Sequence, residues 1–471
     1  MTFHSPAYGL FLVVVFALFW LVAARRGLRT ALLLAASWLF YGSYGPWLLC
    51  LIGFSTLLDW HCGQAIHRSA DPRRRRLLLA VSLVGNLGVM GFFKYYDWAM
   101  GGVAALSTLL GSPMVHEVLV HTVPVGISFY TFQTLSYSID IYRGKLAPAR
   151  SLLDFALFVS FFPQLVAGPI VRAVEFLPQL ESPPRLDRAR LHGGLYRIAQ
   201  GLLKKVVLAD VLGAALVDPV FADPGAYGPV THALAIYGFT LQLYLDFSAY
   251  SDIAIGSAAL FGFVLPENFD LPLQARSIRE FWRRWHISLS SWLRDYLYFP
   301  LGGSKRSEPR VWFNLTVTML LIGIWHGAHS LWIVFGLLHA AAVCLERGLE
   351  RWRGGSGGGS GGVTGRGRDL LNWLVAVHFI FLTVLMARAQ SWGELWAVFT
   401  EFGTGDLYTR EVLGTLGAAM ALHLVPSRHY ARLRERICAL PSAVGGVLFG
   451  LALAWVAFEL IGDTPFIYFQ F

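Results

Sequence analysis

The chain is short of charge and short of cysteine. Only 14% of its 471 residues are Asp, Glu, Lys or Arg, against about 25% in soluble domains. That excludes an ordinary solvated surface. Cys50, Cys62, Cys344 and Cys438 are scattered without a C-x-x-C pair, which leaves neither a disulfide framework nor a cysteine zinc site; no metal is expected. There is no internal repeat and no polar stretch long enough for a soluble catalytic domain.

Long apolar runs are present instead. Hydrophobic residues make up 55% of the chain, and many segments supply the roughly 20 mostly apolar residues that a spanning helix needs. The net charge of +9 sits in arginine clusters between these runs. That is the positive-inside bias of a membrane protein rather than a nucleic-acid surface. The expected fold is an all-α multipass integral membrane protein, one domain over residues 1–471, with about 11 spanning helices.

The first span, Tyr8–Ala23, is preceded by no basic residue and is followed by Arg25, Arg26 and Arg29. It reads as a retained helix rather than a cleaved signal. The loop HRSADPRRRR marks the same side, so the N-terminus is expected outside and the arginine loops in the cytoplasm. LLDFALFVSFFPQLVAGPIVRAVEF is interrupted by Pro163, Gly168 and Pro169, as a broken or re-entrant segment would be. PRLDRARLHGGLYRIAQGLLKKVVLAD is basic and amphipathic and is expected to lie at the cytoplasmic interface. Residues 353–368 form a flexible cytoplasmic Gly/Ser linker. A last helix rises to an outer C-terminal tail, residues 463–471.

Polar residues inside apolar runs are the candidate site. In IGIWHGAHS, His326 follows Trp325 and precedes Gly327. With a helix starting near Asn314, the imidazole stands about 18 Å up, where an ionisable group faces protein or a wet cavity. It is either a neutral histidine bonded between helices or a general base, a role its ordinary pKa suits. Trp325 and Gly327 would let a substrate chain approach the backbone closely. Asp246 and Asp252, in YLDFSAYSD, are either satisfied by neighbouring Tyr and Ser hydroxyls or line a channel. Arg283, Arg284, His286, Arg294 and Asp295 fall in one cytoplasmic block, which is either a snorkelling basic surface or a docking site for donor phosphates. An Arg294–Asp295 structural pair is also expected.

FVSFFPQLVAGPIVRA, LQLYLDFSAYSDIAIGSAALFGF, NFDLPL, FWRRWHISLSSWLRDYLYFPLGGS and NLTVTMLLIGIWHGA occur in this order. Together they resemble the membrane-bound O-acyltransferase family, in particular the bacterial subgroup with alginate and peptidoglycan O-acetyltransferases and the teichoic-acid D-alanyl transferase. The resemblance runs from about Val123 to the C-terminus. It implies a ring of helices around a thin centre, where a cytoplasmic opening meets an outer funnel. It matches His326 to the family's essential histidine and His286 to a second histidine of the subgroup. It likens the terminal PFIYFQF to a tail whose tyrosine, here Tyr468, carries the acyl group as an aryl ester. Without that likeness the tail reads as an interfacial anchor.

What the resemblance implies for function is transfer of an acyl group, acetyl above all, from a cytoplasmic acyl-CoA or acyl-carrier thioester to an exported or envelope polysaccharide. Acetyl-CoA is the expected donor, and a serine-hydrolase-type protein outside the membrane the expected partner. The alternative is D-alanyl transfer from a carrier protein. A secondary transporter is a rival from another class, since broken helices and buried carboxylates suit one, but paired internal halves are missing.

Overall fold

The structure, a computed structural model, describes residues 1–112, 114, 118–119, 123–185, 187–352, 365–459 and 466–467. Residues 353–364 of the Gly/Ser linker and Tyr468 lie outside the described residues. Among those described, every extended regular element is a helix. The chain divides into two compact units, residues 1–198 with 253–266, and residues 199–252 with 267–471.

The first unit is built on the long helix Pro72–Leu109. Asp71 caps its start, accepting hydrogen bonds from the amides of Arg73 and Arg74 at 2.9 and 3.3 Å, and Pro72 occupies the first turn, where its missing N–H costs nothing. At 1.5 Å per residue the helix is about 57 Å long, well beyond the roughly 30 Å hydrocarbon core. Leu48–Arg68 and Ile127–Tyr142 pack against it. The three are tied by one fully buried carboxylate: Asp59 accepts from Ser82, from Asn86 at 2.8 Å and from Ser138 at 2.9 Å. A carboxylate inside such a bundle is tolerated because its oxygens are satisfied by neighbouring helices.

The proline-rich segment is broken as its sequence predicts. Leu152–Ser160 ends at Phe161, and Phe162–Leu165 restarts with Pro163 in its first turn. The backbone groups freed at the break find side-chain partners. The Phe162 amide donates to Ser37 Oγ at 3.0 Å, and Gln164 Nε2 donates to the Phe158 carbonyl at 2.7 Å. Irregular backbone within a membrane domain persists only where protein buries it in this way, and residues 161–167 are fully buried.

In the second unit, Glu308–His326 and Ser330–Trp352 form a tight helical hairpin. A Cβ on Gly323 would lie 2.1 Å from the Trp332 carbonyl oxygen, so only glycine permits this approach. Gly323→Ala is expected to wedge the hairpin open and cost about 1–3 kcal/mol. Thermal unfolding in detergent should show it as a lowered midpoint, and an unchanged midpoint would contradict the tight packing.

One expectation is revised. The His326 helix begins at Glu308 rather than near Asn314, and it stops at His326. The histidine is therefore the last helical residue, eighteen positions or about 27 Å from the start, not a residue partway along a span. Among the described residues three helices, Pro72–Leu109, Ser330–Trp352 and Gly367–Ala387, are long and apolar enough to cross a membrane by length and composition, and Pro6–Val22 is a shorter apolar helix. Residues 188–222 run on as one helical stretch in which Leu203–Ala209 and Gly213–Val217 are π-helical, and Arg294–Tyr298 continues Ile287–Leu293 in the same form, a feature that often marks functional segments.

Candidate active site

The site lies within the second unit and starts from the break after His326. Gly327 is extended there, and a Cβ on it would lie 2.4 Å from the Trp332 ring. The glycine thus lets Trp332 fold back over the helix end. The Trp332 indole stacks on the His326 ring at 4.8 Å and 17°, while Trp325 meets the same ring edge-on at 4.9 Å. Sandwiched this way, the imidazole has one orientation, and it is half-buried, facing an open pocket. The other walls are Leu243, Phe247, Phe281, Trp282, Trp285, Trp332, Phe335, Val384 and Ala387. Among the described residues His326 is the only ionisable side chain in that wall.

The wall is braced from behind. Trp282 Nε1 donates to His339 Nδ1 at 3.2 Å, so His339 carries its proton on Nε2, which meets Thr383 Oγ1 at 3.1 Å. Thr383 in turn donates to the Phe379 carbonyl at 2.8 Å. This chain joins three helices and fixes the Trp282 ring. His339 and Thr383 were not expected from sequence, where a histidine inside LLHAAAV shows no motif.

His286 takes a different place from the one its neighbours suggest. It is fully buried, 0% exposed, and does not share the arginines' surface. Its ring packs edge-on against Phe247 at 4.8 Å and Trp325 at 6.0 Å. It thus stands behind the pocket, linked to His326 through Trp325, and the expectation of direct contact with donor phosphates is corrected. Its backbone is left-handed, φ 44° and ψ 54°, a conformation that costs about 1–3 kcal/mol for a non-glycine residue. Asn268 holds it there. The Asn268 carbonyl accepts from the Ile287 amide at 2.9 Å. Its side-chain oxygen accepts from the Ser288 amide and hydroxyl at 3.2 and 2.8 Å, and His286 Nδ1 lies 3.2 Å from the same oxygen. An amide oxygen only accepts, so Nδ1 bears the proton and Nε2 is the basic nitrogen. Asn268 belongs to NFDLPL, a motif visible in the sequence without a role attached.

The intramembrane carboxylates have cationic partners rather than hydroxyls alone, and neither lines the pocket. Asp252 pairs with Lys204 at 2.7 Å, and Asp246 with Lys205 at 2.7 Å. Lys205 is 4% exposed, so the end of the basic amphipathic stretch turns inward instead of lying at the interface as expected. The pairing was legible in principle: two carboxylates in an apolar helix need cations, and LLKK is a lysine pair between apolar residues.

None of the three arginines lines the pocket. Arg284 is held by Glu280, with contacts of 2.8 and 3.0 Å, and by Asp270 at 3.3 Å. Arg294 forms a two-point pair with Asp295 at 2.8 and 3.2 Å. A phosphate would have to displace those carboxylates. Arg283 is exposed, and its Nε lies 3.3 Å from the Arg279 carbonyl, so it is the arginine best placed to meet an anion.

Residues 144–387 match the model of the membrane-bound O-acyltransferase family. A probable alginate O-acetylase of Pseudomonas aeruginosa is 38% identical over 86% of this chain and 76% of its own length. The peptidoglycan O-acetyltransferase of Helicobacter pylori is 34% identical over 76% and 71%. The teichoic acid D-alanyltransferase of Streptococcus thermophilus is 32% identical over 47% and 56%. A histidine in an apolar pocket, a helical membrane architecture and relatives of this extent agree: the chain belongs to the membrane-bound O-acyltransferase family.

Proposed function

We propose that this O-acyltransferase takes an acetyl group from acetyl-CoA on the cytoplasmic side and delivers it for O-acetylation of an exported or cell-envelope polysaccharide, alginate-like in class. The observation that carries this reading is the pocket. It presents one basic nitrogen-bearing ring, that of His326, among aromatic and aliphatic walls. In the proposed step His326 accepts the proton of an acceptor hydroxyl. The oxygen attacks the thioester carbonyl, the C–S bond breaks, and the imidazolium returns the proton to the coenzyme A thiolate. Water-poor walls protect the thioester from hydrolysis.

The same walls favour acetyl over D-alanyl. A D-alanyl group carries an ammonium with three N–H donors. Among the described residues no carboxylate lines this pocket. Burying an ammonium unpaired costs several kcal/mol, of which aromatic faces return about 2 kcal/mol. The deficit corresponds to a preference of roughly tenfold to a thousandfold. The relatives point the same way, since the O-acetyltransferases align over far more of the chain than the D-alanyl enzyme.

In this reading both termini lie outside, Arg283 meets donor phosphate, and a serine-hydrolase-type partner completes transfer to the sugar. The test uses inside-out membrane vesicles containing the chain, its partner and the polymer. Labelled acetyl-CoA added to the exposed cytoplasmic face should label the enclosed polymer, and a D-alanyl carrier protein should not. Label from the carrier alone would sink the acetyl reading, and label only when donor is sealed inside would reverse the orientation.

A further inference from the structure

The buried pair Lys205–Asp246 has a third member that neither helix supplies. Lys205 Nζ stands between two carboxylates, Asp210 at 2.8 Å and Asp246 at 2.7 Å. Lys205 meets one oxygen of Asp246, and inside protein the other oxygen needs a donor of its own. Asp246 is 1% exposed, and its second oxygen accepts a hydrogen bond from the backbone amide of Ile467 at 2.8 Å. The donor thus comes from the C-terminal tail, more than two hundred residues away in sequence. Phe466 and Ile467 are themselves buried, at 1% and 8%. Phe466 packs on Tyr250 at 4.6 Å and on Phe247 at 5.5 Å. Phe247 follows Asp246 in the chain and is a wall of the His326 pocket. The tail is therefore docked against the back of that wall.

Apolar packing of Phe466 alone would hold a tail without any charge. A buried ion cluster is weak evidence for stability, because well-packed apolar residues of similar volume do as well or better. What the cluster adds is register: a charge-assisted bond to one backbone amide fixes one residue.

We propose that Asp246, held by Lys205, is a positioning residue that seats the C-terminal tail through the Ile467 amide, fixing the register of Phe466 and Ile467 against the Phe247 wall of the His326 pocket. The importance of that register for transfer rests on the reading of Tyr468 as an acyl carrier; the seat itself does not.

Ile467→Pro tests the seat cleanly, because proline removes the donated N–H and leaves the Lys205–Asp246–Asp210 cluster intact. Ile467→Ala keeps the amide and serves as comparison. The full chain in lipid nanodiscs is read by hydrogen exchange of its C-terminal peptide and by carboxypeptidase digestion. A hydrogen bond to a charged group corresponds to roughly a tenfold to hundredfold change in opening. Tail exchange and digestion should rise by that factor in Ile467→Pro, with the melting temperature unchanged, and stay near wild type in Ile467→Ala. The triple variant Lys205→Met with Asp210→Asn and Asp246→Leu, which removes the cluster without stripping Asp210 of its lysine as a charged group, should release the tail similarly. Equal protection in wild type and Ile467→Pro would overturn the seat, as would a wild-type tail that exchanges at an unprotected rate. Loss of protection in Ile467→Pro combined with normal transfer by Tyr468→Phe would uphold the seat and refute the acyl-carrier reading alone.

Discussion

His326→Ala is expected to abolish acyl transfer, with turnover falling by about 10²–10⁴-fold, the span that loss of a general base costs. The fold should survive. His326 is the last residue of its helix and is half-buried at a pocket, so removing its ring takes away one stacking partner of Trp332 without opening the hairpin, whose close contact is made by Gly323. Donor binding should also persist, because the walls and Arg283 remain. The measurement is single-turnover transfer from labelled acetyl-CoA together with thermal unfolding in the same detergent. His326→Gln, which keeps polarity and approximate length but cannot take up a proton near neutral pH, should fail as badly as the alanine variant. Near-normal turnover in either variant would remove His326 from the chemistry and leave it a packed, neutral histidine.

Tyr468→Phe is expected to eliminate polysaccharide acylation almost completely while the protein still folds and still binds coenzyme A. The phenol oxygen is the one atom lost, and the ring that would anchor the tail is kept. In the proposed relay His326 takes the phenol proton as Tyr468 attacks the thioester, and the aryl ester formed is a reactive donor to the partner's serine. A phenol, with pKa near 10, leaves far more readily than an alkoxide. The tail from Asp463 to Phe471 reaches about 30 Å when extended, at 3.3–3.6 Å per residue, and docking of Phe466 and Ile467 against the pocket wall supports a tail turned inward rather than spread at the interface. Wild-type protein incubated with acetyl-CoA in the absence of its partner should carry an acetyl mass increment on the C-terminal peptide. Normal acylation by Tyr468→Phe, or an acetyl group found on no tail residue, would leave the tail as an anchor only.

The residues that define the candidate site were legible because the membrane makes them conspicuous. His326, Asp246 and Asp252 stand out in apolar runs, where each ionisable group must have a reason. The need for cationic partners was legible but their identity was not read, since Lys205 and Asp246 are forty-one positions apart and the basic stretch around Lys205 carries the amphipathic signature of an interface helix. His286 was misplaced for the same reason. Its chain neighbours are surface arginines, and one left-handed residue, pinned by Asn268, turns it inward. Backbone reversals at single non-glycine residues leave no periodic trace.

The sequence by itself determined that this protein lives in a membrane, that it is helical, that its segment around Pro163 is broken, and which ordered set of motifs it carries, because hydrophobic length, charge asymmetry and proline act locally along the chain. Only the tertiary structure decided that His326 ends its helix under Trp332, that the buried carboxylates are neutralised by adjacent lysines, that two of the arginines are already engaged by carboxylates, and that the tail returns to Asp246. Those outcomes depend on which distant groups can satisfy a charge or fill a gap at a helix contact, and such choices are made by packing in three dimensions, where sequence separation has no bearing.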